Sequence, residues 1–127
     1  MAGNLSDYLE VKLLDHFLGT TSYTMPADVY LALYTAAPTD SSAGTEVSGG
    51  SYARKIATFN GASSGSTTND SDIDFNGMPA CTVVAIAVCD ALTSGNILVY
   101  GPLTANKSLD AGDILRVSSG DLSISIN

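Results

Sequence analysis

Positive charge is scarce in this chain. Five Lys and Arg stand against thirteen Asp and Glu in 127 residues, for a formal net charge of −8. Phosphate neutralisation needs clustered cations, so nucleic acid is excluded as an expected partner. Tryptophan is absent and histidine occurs once, as His16. A zinc site wants paired Cys or several His at short spacing. Two cysteines eight residues apart, Cys81 and Cys89, do not supply it. Within one extended strand they would lie roughly 27 Å apart, beyond disulfide reach, and read as small buried hydrophobes. The longest apolar run, Val83 to Val88, is strand-sized, so no membrane span is expected. "MAGNLSDYLE" shows no basic segment leading into an apolar one, and synthesis in a cytoplasm is expected.

Catalytic signatures are equally thin. No G-x-S-x-G elbow occurs. "SGGS" precedes an expected strand, not a helix as a phosphate loop would. "DSDID" alternates Asp70, Asp72 and Asp74, but the sixth and twelfth positions of an EF-hand loop would be Phe75 and Cys81, which fails. A solvated edge strand guarded by charge is the expected structure there. No enzyme, catalytic residue, cofactor or metal is expected. A lytic enzyme finds no constellation, and a carbohydrate-binding module would need an exposed aromatic pair.

What is present is apolar content without charge: 45% hydrophobic and 14% charged residues. Ser, Thr, Gly and Asn take the surface positions, as in proteins that work in assemblies or outside cells. The length is that of one domain able to bury a core. A helix is expected over about 6–18, with Ser6 as N-cap, Asp7 and Glu10 in the first turn and Gly19 as the residue past the end. Leu9, Leu13 and Phe17 form an apolar stripe, widened by Leu14 and Leu18. Tyr8, Leu9, Leu13 and Phe17 are the candidate interface residues if that helix faces outward. Leu13 is expected to turn toward its own core.

From about residue 28 the period becomes two. "DVYLALYT" is apolar on both faces and reads as a central strand. "YARKIATF", "SDIDF", "CTVVAIAVCD", "ILVYGPL", "ILRVS" and "LSISIN" follow, the last with Leu122, Ile124 and Ile126 inward. "CTVVAIAVCD" and "ILVYGPL" are expected to pair as an antiparallel hairpin. The stretches 36–51 and 60–71 read as long polar loops. The fold class is mainly β: a single β-sandwich or barrel-like domain of about seven antiparallel strands over 28–127, with one N-terminal amphipathic helix.

"TEVSGGSYARKIATFN" sets Arg54 and Lys55 in an acidic chain. Gly49 and Gly50 are expected to give a tight turn or a close backbone approach. Tyr52 shares a face with Arg54 and can cover its stem. Arg54 is read as a fixed ion-pair or interface residue.

Taken in order, "LSDYLEVKLLDHFLGTTSYT", "VYLALYTAAPTD", "EVSGGSYARKIATF", "ILVYGPLTANKSLDAGDIL" and "GDLSISI" resemble a family of small structural proteins of tailed bacteriophages, often labelled tail fibre proteins. The resemblance departs at Ala80 and Cys81, where relatives often carry Trp-Gly. It implies a virion component made in the host bacterial cytoplasm. Chain length and the helix favour capsid decoration, as a cement protein bound to the major capsid protein. A tail, baseplate or fibre-associated role with tail proteins as partners is the alternative, and a carbohydrate-binding module the lesser one. A homo-oligomer, as a trimer, is expected.

Overall fold

The computed structural model describes residues 4–125. Ile126, expected to face inward, lies outside them. The element order is β1 (Asn4–Leu5), α1 (Asp7–Phe17), β2 (Val29–Ala36), β3 (Thr45–Glu46), β4 (Lys55–Ala57), β5 (Ser66–Thr68), β6 (Ile73–Met78), β7 (Cys81–Cys89), β8 (Ile97–Leu109), β9 (Asp113–Val117) and β10 (Ser123–Ser125). The main sheet runs β1-β8-β7-β2-β3, with β4 also on β2. Two antiparallel pairs, β6–β9 and β5–β10, stand apart from it. The fold is mainly β with one N-terminal helix, as expected. The barrel option falls, because β1 and β3 end the sheet without meeting.

The apolar alternation in β2 explains its place. Leu31 and Leu33 point to one face and Ala32 and Tyr34 to the other, and all four are buried. Leu31, Leu33, Val83 and Ile86 of the main sheet pack with Ile73, Phe75 and Met78 of β6, Leu115 of β9, and Leu122. Ala32, Tyr34, Ala85, Ala87 and Cys89 form a second cluster on the opposite face. Val83 and Ile86 share a face despite their odd spacing. A register irregularity between Val83 and Ala85 resets the alternation.

The strand count exceeds seven because several segments of two or three residues pair where loops were expected. The stretch 36–51 holds β3 and the buried Val47. The stretch 60–71 is not a plain loop: it holds a hairpin in which Phe59 bridges Asn69 and Ser63 bridges Ser66, and its β5 pairs with β10. Thr104–Leu109 belongs to β8, because the N-terminal half of the nine-residue β7 needs a partner there. Val83 pairs with Lys107 and Ala85 with Pro102, so Leu103–Asn106 is extra chain on the β8 side. Pro102, with no N–H to give, sits at that break. Conversely, only Lys55–Ala57 of "YARKIATF" is strand, because Tyr52 and Arg54 are turned to other work.

Asn69 ties the second layer together. It is fully buried. Its Nδ2 donates to the carbonyls of Ser71 (2.9 Å) and Ser118 (3.1 Å). Its Oδ1 accepts from the backbone N–H of Gly120 (3.1 Å) and Leu122 (2.9 Å).

Candidate docking face

α1 starts where Ser6 accepts the Leu9 N–H at its side-chain oxygen, 3.2 Å away. The same hydroxyl donates to the carbonyl of Ile97. The Ser6 N–H donates to Leu98 at 2.9 Å. One buried serine thus caps the helix and pins it to β8. The far end is capped by the chain that follows it. His16 Nδ1 accepts the Tyr23 N–H at 3.0 Å, and the N–H groups of Thr20 and Thr21 donate to the Asp15 carbonyl. Gly19 takes φ +86°, the left-handed C′ position expected of it.

Although pinned at its start and capped at its end, α1 buries none of its residues. Leu9 and Leu13 are half-buried on the side that rests on β1 and β8. Tyr8 is half-buried as well, with the Lys12 ammonium 5.7 Å from its ring centroid. The uncovered side carries Val11 (56% exposed), Leu14 (50%), Phe17 (66%) and Leu18 (69%). Of the expected interface residues, then, Phe17 stands on the outer face, while Tyr8, Leu9 and Leu13 lean on the domain. Val11, Leu14 and Leu18 complete that face at i, i+3 and i+7. Their spacing was legible, but six apolar residues spread around one short helix do not reveal which side the sheet will cover.

Beside the N-terminal end of α1 three exposed carboxylates gather: Asp7, Glu10 and Asp40, with oxygens within 4.8 Å of one another. The Asp7 N–H donates to the Asp40 carbonyl (3.1 Å), which draws the 37–44 loop to the helix. The Tyr100 hydroxyl donates to the Asp40 carboxylate, and that bond pushes the Tyr100 pKa up to about 12. Partial desolvation, then repulsion from Asp40 and Asp7, raises the Glu10 pKa. Carboxylates at a helix N-terminus are what its dipole favours.

Arg54 belongs to a different arrangement. β3 and β4 pair with the same edge of β2, leaving a gap at Leu33. The Tyr52 hydroxyl closes it, accepting the Leu33 N–H at 3.0 Å and donating to Glu46 Oε2 at 2.6 Å. Arg54 grips Glu46 through Nε (3.0 Å) and Nη2 (2.9 Å). Its Nη1 donates to the carbonyls of Ala91 (2.9 Å) and Ser94 (2.8 Å) in the β7–β8 turn. Burial alone would raise the Glu46 pKa, but the hydrogen bonds from Arg54 and Tyr52 outweigh it and the pKa is lowered. Tyr52 also stacks on Phe75, with ring centroids 6.0 Å apart. Arg54 is the fixed ion pair of the two roles expected for it, and it works within its own fold. Gly50 gives the close approach: a Cβ there would lie 2.6 Å from the Gly77 carbonyl oxygen.

The aspartates of "DSDID" are each engaged. Asp70 accepts from the Thr58 hydroxyl, and Asp72 from the Ser119 N–H at 2.8 Å. Asp74 takes a two-pronged contact from Arg116 at 2.7 and 3.0 Å. Its pKa is lowered by that hydrogen bond. Cys81 and Cys89 are free thiols at the two ends of β7. Of the nine aromatic side chains, Phe17 alone is exposed, so no exposed aromatic pair is formed among the described residues.

A profile of the podophage GP4 fiber I protein gp80 family matches residues 4–125. The chain belongs to that family. Membership makes it a bacteriophage structural protein of fibre type and implies a place in the virion. No curated protein matches the chain. No helix among the described residues is long and apolar enough to cross a membrane.

Proposed function

We propose that this member of the fiber I family is a fibre- or tail-associated structural component of the virion, which works by docking to neighbouring proteins and performs no chemistry of its own. One observation carries the docking role: a helix pinned to β8 at its start and capped at its end that leaves Val11, Leu14, Phe17 and Leu18 in solvent. A lone exposed leucine means little, but a contiguous apolar face on a rigid element marks an interaction surface. The family name supports the tail end of the particle over the head surface that chain length and the helix favoured. Docking only to the assembled structure would stabilise it by mass action, copy by copy. The copies are proposed to associate as a homo-oligomer through surfaces other than α1, on the low charge density of the chain. Gold-labelled antibody on purified virions is the test. Label at the tail or its fibres supports the reading. Label over the head lattice would replace it with capsid decoration. Absence of the chain from virions by mass spectrometry would end both.

A further inference from the structure

We infer that the uncovered face of α1, with the acidic triad at its N-terminal end, docks into an apolar groove rimmed by Lys or Arg on a different virion protein, not onto a second copy of this chain. The inference rests on the docking role proposed above and names the partner's chemistry.

Val11, Leu14 and Leu18 follow the i, i+3, i+7 pattern by which a helix lies in a groove, with Phe17 as the large anchor beside them. The face does not end in neutral surface. Asp7 and Glu10 continue it along the helix, and Asp40 joins them from the 37–44 loop. Three carboxylates this close repel one another. A cationic rim would relieve that repulsion and fix the direction of the helix in its groove.

A second copy has little to offer in return. Of the five cations, Arg54 is committed to Glu46, and Arg116 to Asp74 and Asp72. Lys12 lies over the Tyr8 ring on α1 itself. Lys55 is on β4, opposite Leu31. Lys107 is paired with Val83, six residues along β7 from the Cys89 that faces Ile97, where the helix is pinned, roughly 20 Å away by strand rise. A two-fold antiparallel pairing of α1 would set each triad against the partner's helix C-terminus, where Asp15 and the negative dipole pole lie. A three-fold parallel arrangement would bring three triads together. Both juxtapose like charge.

The test grows the encoding phage with its own gene for this chain deleted, on hosts supplying the wild-type chain or a variant. Copies per purified virion are counted by mass spectrometry, and release is followed at about 50 mM and about 500 mM NaCl. The wild-type chain is expected to leave at least about tenfold faster at the higher salt. Glu10→Gln/Asp40→Asn should leave at similar rates in both. Leu14→Ser and Phe17→Ser, folded by circular dichroism, should each be released about 30-fold faster or fail to incorporate. Retention of both serine variants at wild-type levels would overturn the inference together with the docking role that this face carries. Salt-independent release of the wild-type chain would overturn the inference while leaving the docking role standing. So would a loss of oligomer mass in light scattering on Leu14→Asp, which would make a second copy the occupant. A wild-type chain that never enters virions would instead sink the docking role.

Discussion

Asn69→Ala should weaken the fold more than its size implies. The Asn69 side chain satisfies two donors and two acceptors at once, its full capacity, between the β5–β6 connection and the β9–β10 turn. The four partners differ in what they lose. The Ser71 carbonyl belongs to an exposed residue and can rehydrate, while the Gly120 N–H keeps the Asn69 backbone carbonyl (2.9 Å) and the Ser118 carbonyl keeps the Asp121 N–H (3.0 Å). The Leu122 N–H belongs to a residue only 2% exposed and would be left without a partner. A lost bond that water replaces costs about 1 kcal/mol, and a stranded buried donor about 1–3 kcal/mol. The sum is about 2–4 kcal/mol. For 127 residues, about 2 cal/mol/K of unfolding entropy per residue makes each kcal/mol worth about 4 °C. A thermal melt should therefore shift down by about 8–15 °C. Asn69→Asp sharpens the test. Its carboxylate would face the Ser71 and Ser118 carbonyls, so its folded pKa lies above its unfolded one. That stability is present at low pH, where the protonated group donates, and is lost as pH rises. Its melting temperature should be higher near pH 4 than near pH 7 relative to wild type. An Asn69→Ala melt within about 3 °C of wild type would refute the account of Asn69 as the tie between those segments.

Gly50→Ala should cost several kcal/mol, about 2–4, because φ is +55° and the new Cβ meets the Gly77 carbonyl; Gly19→Ala, at φ +86° with nothing within 4 Å, should cost only about 1 kcal/mol, and equal urea midpoints would refute the distinction. The lowered Glu46 pKa means its contribution is present above the ordinary glutamate value and lost as pH falls through the folded value. Glu46→Gln should thus lower stability by about 2 kcal/mol at neutral pH and flatten the acid limb of the pH–stability curve, which denaturant titrations at several pH values would read. Excising Ser63–Thr68 removes β5, the partner of β10; the chain should melt earlier and resist protease less, and an unchanged melt would restore the stretch as a dispensable loop.

Local rules placed much of this protein in advance. The helix ends follow from Ser6, Asp7, Glu10 and Gly19, whose capping chemistry acts within one turn. β2, β7 and the hairpin to β8 follow from runs of β-branched and aliphatic residues, apolar on both faces because both faces are covered. Free cysteines at opposite ends of β7 follow from strand rise alone. The tertiary structure decided what depends on distant chain. β3 and β5 are too short to carry a period; β3 exists because an edge of β2 was open to it, and β5 because β10 was there to pair with it. Asn69 looks like one more turn residue until Ser118, Gly120 and Leu122 arrive from some fifty positions away. Tyr52 looked like a strand residue and became a stand-in for a missing ladder partner at Leu33. The outer face of α1 was settled last. The sequence made most of the helix apolar, and only the docking of Leu9 and Leu13 toward β1 and β8 left Val11, Leu14, Phe17 and Leu18 uncovered, because a cylinder resting on a sheet can hide one side.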